Sequence, residues 1–130
     1  MQKLIFSFLF LCFNLFSQLD WIDSIDEAKE LAEKQDKYIM LMLSQVHCDG
    51  CWYMQNIVFE DEEILKMLET NFIPVYLEVD EDEIPSSFSY LGTPTFHFLG
   101  PNEDKLGFSI NGVKNVKEFK IILEKVLKKD

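Results

Sequence analysis

The chain of 130 residues contains no arginine: all 12 basic residues are lysine, against 23 acidic ones, giving a formal net charge of −11. Phosphate binding needs a basic surface, so this balance argues against nucleic acid as a partner. The acidity reads as a solvated exterior, with selection of basic partners as the sharper alternative. Histidine is scarce, represented only by His47 and His97. Zinc therefore lacks a ready ligand set, because His47 adjoins Cys48 and His97 stands in an apolar stretch. No serine, histidine and acid grouping points to hydrolysis, and the runs EDEE and DEDE lack the spaced oxygens and glycine of a calcium loop. No internal repeat or low-complexity linker interrupts the chain. No apolar run reaches the roughly 20 residues that cross a bilayer as a helix.

What is present fits one folding unit. At this length a single domain with one core is the default, and 48% apolar with 27% charged residues is a globular balance. The opening MQKLIFSFLFLCFNLFSQ places Lys3 before an apolar run of 13 residues, Leu4 to Phe16, with no acids. That is the layout of a secretory signal, expected over residues 1–17 with the cut after Ser17 and the domain over 18–130. An uncleaved anchor is the weaker reading. Cys12 falls inside the signal, which leaves Cys48 and Cys51 as the only mature thiols in a compartment where disulfides persist.

Periodicity then orders the elements. Ser24 and Glu27 form a capping pair before helical spacing that predicts a helix over 25–35. YIMLMLS reads as a strand buried on both faces, and it leads into QVHCDGCWYM. Trp52, Met54 and Gln55 continue a helix from the cysteines, Asp61 caps another, and a strand is expected over 73–79. EDEIPSSFSYLG is read as an acidic loop and a short helix with Pro85 in its first turn. Two runs, 95–99 and 105–110, form a hairpin. A final helix carries the stripe Val116, Phe119, Ile122, Leu123, Val126 and Leu127 behind the capping pair Asn115 and Glu118. This order predicts a layered α/β fold, one sheet of four or so strands with helices on both faces.

The cysteine pair carries the chemistry. A helix starting at Cys48 sets its sulfur beside free N–H groups and the positive helix end, which favours thiolate. Cys51, one turn on, faces the same way and is close enough to close a disulfide. Cys48 would attack a partner disulfide, and Cys51 would then resolve the mixed disulfide, with no organic cofactor. Asp49 opposes the thiolate by about 1 kcal/mol, and protonated His47 would partly cancel it. A moderately reducing couple follows. Gly50 is read as freeing the backbone of a tight turn into the helix.

These residues resemble the thioredoxin-like fold family: a buried strand, HCDGC opening a helix, then GTPTFHFL downstream. More narrowly, CDGCWYMQNIVFEDEEILKMLETNFIPVYLEVDE is similar to bacterial periplasmic thioredoxin-like proteins, including the exported domain of DsbD-type disulfide reductases. The resemblance implies a three-layer sandwich with a mixed sheet of about four to five strands. It also implies that Cys48 is the nucleophile, Cys51 the resolving thiol and Pro94 a cis-proline beside them, with Thr93 offering backbone hydrogen bonds to a partner's extended segment. Two departures stand out. His47 occupies the place where thioredoxins carry tryptophan, and Met42 the place of their buried carboxylate, so a proton acceptor for Cys51 is unaccounted for.

The reading is thus an exported, periplasmic thiol:disulfide oxidoreductase, more a reductant or electron relay than a primary oxidant. It would be monomeric, and its partners would be protein thiols and disulfides and an upstream redox protein. The rival is a copper(I)-handling module on the same fold using Cys48, Cys51 and Met54. A purely structural staple is weaker, because so short a loop removes little entropy from the unfolded chain.

Overall fold

The computed structural model describes residues 19–102 and 105–128, so the expected signal over 1–17, with Cys12, lies outside the described residues. Helix α1 (Ile25–Gln35) begins where Ser24 adopts extended backbone and its hydroxyl accepts from the Glu27 N–H at 3.2 Å. It ends at Asp36, left-handed at φ 52°, whose N–H returns to the Ala32 carbonyl. Lysine, the longest basic side chain here, then closes a different end: Lys37 Nζ donates to the Glu69 carbonyl at 3.0 Å.

Strand β1 (Tyr38–Ser44) is buried along its whole length, as an uninterrupted apolar run requires of a central strand. It lies between β2 (Phe72–Glu78), parallel to it, and β3 (Thr95–Leu99), antiparallel. Strand β4 (Lys105–Asn111) pairs antiparallel with β3, giving the order β2-β1-β3-β4. Outside β2, Ile22 adds one parallel bridge to Val75. Strand β2 opens one residue earlier and closes one earlier than expected, and Pro74, its third residue, is buried.

Between β1 and β2 run α2 (Asp49–Tyr53), a π-helical turn (Met54–Val58) and α3 (Glu62–Asn71). Asp61 caps α3, its carboxylate accepting from the Glu63 and Ile64 N–H groups at 3.1 Å each. Helix α4 (Val116–Leu127) starts with a reciprocal Asn115–Glu118 capping box, both bonds 2.9 Å.

The alternation of β1 sorts its side chains into two cores. Met40 and Met42 join Cys51, Met54, Leu68, Phe96 and Phe119 beneath α2, α3 and α4. Ile39, Leu41 and Leu43 join Ala28 and Ala32 beneath α1. Helices thus cover both faces of a four-stranded mixed sheet, the three layers expected. The short helix at Pro85 does not form: residues 81–94 hold no helix, and Phe88 instead drops into the α1 core, where it meets the His97 ring at 5.2 Å. Ile84 only partly joins that core and Leu91 is exposed, while the serine hydroxyls between compete for the backbone. Among the described residues, no helix is long and apolar enough to cross a membrane.

Candidate active site

Strand β1 stops at Ser44, and an exposed loop, Gln45 to His47, carries the chain over the sheet edge. His47 takes a left-handed backbone at φ 61°, a conformation histidine enters more readily than most side chains. The turn delivers Cys48 as the N-cap of α2, in extended backbone. Its Sγ accepts from the Cys51 N–H at 3.1 Å, and its carbonyl accepts from the Trp52 N–H at 3.1 Å. Cys48 and Cys51 form a disulfide, with Cα atoms 5.2 Å apart. Cys48 is half-buried whereas Cys51 is only 3% exposed. Solvent and a partner therefore meet Cys48 first.

Pro94 closes the site from the other side. The Thr93–Pro94 peptide is cis. The Pro94 carbonyl accepts from the Gly112 N–H at 2.8 Å, and the Thr95 hydroxyl donates to the Gly92 carbonyl at 2.7 Å. These bonds tie residues 92–95 to the end of β4, with Pro94 held against α2.

That contact corrects the reading of Gly50. Gly50 lies inside α2, and the strained turn falls at His47 instead. What Gly50 supplies is room: a Cβ there would stand 2.6 Å from Val113 Cγ2 and 3.2 Å from Pro94 Cδ. Gly50→Ala is accordingly expected to destabilise the oxidised protein by roughly 1–2 kcal/mol, overpacking outweighing the better helix propensity of alanine. Val113 is 44% exposed and can be cut back without a cavity, so adding Val113→Ala should recover most of the loss. Urea unfolding of the single and double variants checks both, and a neutral single variant would refute the close-approach account.

A cavity of about 370 Å³ opens beside Cys48, lined by His47, Asp49, Trp52, Gln55, Tyr76 and Glu78 among others. Two exposed apolar side chains, Trp52 at 60% and Val46 at 49%, stand at its mouth among polar neighbours, and Leu91 projects into solvent from the loop before Pro94. Two residues in it escaped the sequence reading. Tyr76 stands opposite Met42 in the parallel pair, and its hydroxyl lies 2.9 Å from Ser44 Oγ and 3.1 Å from Glu78 Oε1. The only available signal was their alternation along VYLEVD, two polar tips breaking an otherwise apolar strand.

The family model described as "Thioredox_DsbH: Protein of unknown function, DUF255" matches residues 7–91, a span that includes both cysteines. The chain belongs to that family. In sequence, this DsbH-type chain is 35% identical over 72 residues to spermatogenesis-associated protein 20 of Mus musculus, covering 55% of this chain and 9% of that protein. It thus spans a small fraction of the relative's length. In structure it is similar to a thioredoxin from Thermus thermophilus, with TM-score 0.72, 28% identity, and 86% and 89% of the two chains covered. The same fold occurs in a DsbH oxidoreductase, with TM-score 0.67, 17% identity and 87% of each chain covered. It occurs again in the reduced DsbD C-terminal domain of Neisseria meningitidis, with TM-score 0.64, 16% identity, and 81% and 97% covered.

The remaining candidates separate. Met54 lies fully buried in the core beside Cys51, so the copper(I) reading would have to draw a ligand out of packed surroundings. His97 is 1% exposed in β3, where its Nε2 meets the Ser89 carbonyl at 2.8 Å. Its strand neighbours Phe96 and Phe98 face the cysteine side while it faces the α1 side with Phe88. The fold does not bring His97 to the cysteines. Met42 is completely buried beneath them, and among the described residues no carboxylate is buried.

Proposed function

We propose that the chain is a thiol:disulfide oxidoreductase that exchanges electrons with protein disulfides through Cys48 and Cys51, more as reductant or electron relay than as primary oxidant. The observation that carries this reading is the inequality of the two sulfurs. Cys48, accessible at the helix start, receives the Cys51 N–H, and that bond favours its thiolate. Cys51 is buried one turn behind it.

In the reducing direction the Cys48 thiolate attacks a partner disulfide and one partner sulfur leaves as a thiolate, taking up a proton. Cys51 then loses its proton and attacks Cys48 Sγ, and the second partner sulfur leaves and is protonated. Two electrons and two protons pass to the partner, and the Cys48–Cys51 disulfide is formed. Thr93 and Pro94, beside the cysteines, would seat the partner's extended segment, while His47 and Asp49 tune the thiolate. Asp49, exposed in the first turn of α2 beside Cys48, opposes the thiolate and supports a reducing rather than an oxidising couple. The apolar, acid-free opening of the sequence supports export to the periplasm, with action as a monomer on protein thiols and on an upstream redox partner.

Equilibration with mixtures of reduced and oxidised glutathione tests the reading, together with insulin reduction and metal analysis after anaerobic purification. The expected result is a reversible dithiol–disulfide equilibrium and insulin turnover. One equivalent of bound copper without turnover would replace this reading by the copper-handling one.

A further inference from the structure

We propose that Glu78 is the proton acceptor for the Cys48 thiol, held in place by Tyr76 and Ser44. This rests on the thiol–disulfide reading above. Behind the cysteines the core is apolar, with Met42 fully buried and, among the described residues, no buried carboxylate, so the acidic groups near Cys48 are those of the cavity it lines. On the adjacent strand the next polar group is Tyr76, directly opposite Met42, and Ser44 is paired in the same way with Glu78. These three side chains meet. A phenol has one proton, and given to Glu78 Oε1 at 3.1 Å it leaves the phenolic oxygen to accept from the buried Ser44 hydroxyl at 2.9 Å. The result is a directed chain, Ser44 to Tyr76 to Glu78, ending in a half-buried carboxylate.

The backbone of Glu78 is also fixed at the strand end, because its N–H donates to Asp82 Oδ2 at 2.7 Å. Burial, opposed by the Ser44 bond and assisted by Glu78, raises Tyr76 above the usual phenol range. Its hydroxyl therefore remains a donor at every pH at which the thiols work. Tyr76 and Glu78 line the same cavity as Cys48. The titratable groups facing that cavity are Cys48, His47 from the loop, Asp49 from α2, and Tyr76 and Glu78 from β2, with Asp82 behind the last two. Asp49 is exposed in the first turn of α2 and His47 on the loop, whereas the Glu78 carboxylate is held by the part-buried hydrogen-bond chain through Tyr76. In the step, the Cys48 S–H bond breaks and its proton passes to the Glu78 carboxylate across the cavity. The electron pair left on sulfur forms a bond to one sulfur of the partner's disulfide as the partner's S–S bond breaks, and Glu78 returns the proton to the other sulfur, which departs as thiolate.

The test is the pH–rate profile of the reduced protein reacting with a small aromatic disulfide, comparing wild type, Glu78→Gln, Glu78→Asp and Tyr76→Phe. Loss of a general base that acts across a cavity is expected to slow Glu78→Gln by about tenfold or more below the thiol's titration, with rates converging above it. Glu78→Asp should restore part of that rate, and Tyr76→Phe should lose several-fold because the carboxylate is no longer held. Unchanged or faster exchange in Glu78→Gln would overturn the proposal, as would the same loss appearing in Asp49→Asn or His47→Asn instead. If the wild-type protein itself does not exchange, the thiol–disulfide reading fails; if it exchanges and Glu78→Gln matches it, only the assignment of Glu78 fails.

Discussion

Cys51→Ser turns the protein into a trap that accumulates a mixed disulfide on Cys48, while Cys48→Ser lowers exchange by roughly a thousandfold or more. The asymmetry follows from burial and from one hydrogen bond. Cys48 is the half-buried sulfur that receives the N–H of residue 51, a backbone donor that survives the serine substitution. Attack by Cys48 is therefore preserved in Cys51→Ser, and only the resolving step is lost. In Cys48→Ser the remaining thiol is 3% exposed beneath α2 and lacks that donor, so it meets partner disulfides only when the helix start opens. Incubation with oxidised glutathione, followed by mass analysis under non-reducing conditions, reads both outcomes. A single glutathione adduct on residue 48 of Cys51→Ser is expected. Faster adduct formation on residue 51 of Cys48→Ser would reverse the assignment of nucleophile and resolving thiol. The same Cys51→Ser protein then serves to capture its protein partners.

How much of this arrangement was legible in the sequence depends on whether the cause was local. Helix α1 begins and ends on the expected residues because Ser24 and the run of apolar spacing act within a few positions. The caps at Asp61 and Asn115 are local in the same sense. Strand β1 was legible for another reason: seven apolar residues in a row have few alternatives to a central, doubly covered strand. The cysteine pair could be placed at a helix start because the strand fixes where the chain leaves the sheet.

What was not legible depended on contacts between distant segments. Gly50 looked like the residue of a tight turn, and only the approach of Pro94 and Val113, more than 40 residues away in sequence, shows that its missing Cβ makes room. The tight turn fell instead to His47, whose backbone strain no pattern announces. Pro85 suggested a helix start, but a proline signal does not decide which apolar side chains find a core, and of Ile84, Phe88 and Leu91 only Phe88 is buried while Leu91 is exposed. The cluster of Ser44, Tyr76 and Glu78 required the register between β1 and β2. No spacing within either strand encodes that register. The π-helical turn after Cys51, which brings the Phe59 N–H to the Met54 carbonyl at 2.9 Å, is similarly silent in the sequence.

Phe59 is also where the site and the core become one structure. Its ring lies 5.4 Å from Phe119, 6.0 Å from Phe96 and 5.8 Å from Trp21, and Phe96 and Phe119 are 5.2 Å apart, centroid to centroid. Phe96 follows Pro94 by two residues on β3 and pairs with Met42, so this cluster supports both the proline loop and the floor beneath the cysteines. Phe119 is completely buried in α4, and no neighbour can close the space without moving the sheet. Phe119→Ala is therefore expected to cost about 3–5 kcal/mol, the loss of transfer energy plus an unfilled cavity. That is a large share of the 5–15 kcal/mol typical of a domain. Ile121, 43% exposed on the same helix, is the matched control, and its replacement by alanine should cost no more than about 0.5–1 kcal/mol. Equilibrium denaturation of the oxidised proteins measures both. If Phe119→Ala fell within the range of the Ile121 control, the aromatic cluster would not be what couples α4 to the site. If it loses the expected stability, the folded fraction should still form the Cys48–Cys51 disulfide, because the bonds that set α2, Cys51 N–H to Cys48 Sγ and Trp52 N–H to the Cys48 carbonyl, lie within the helix start itself.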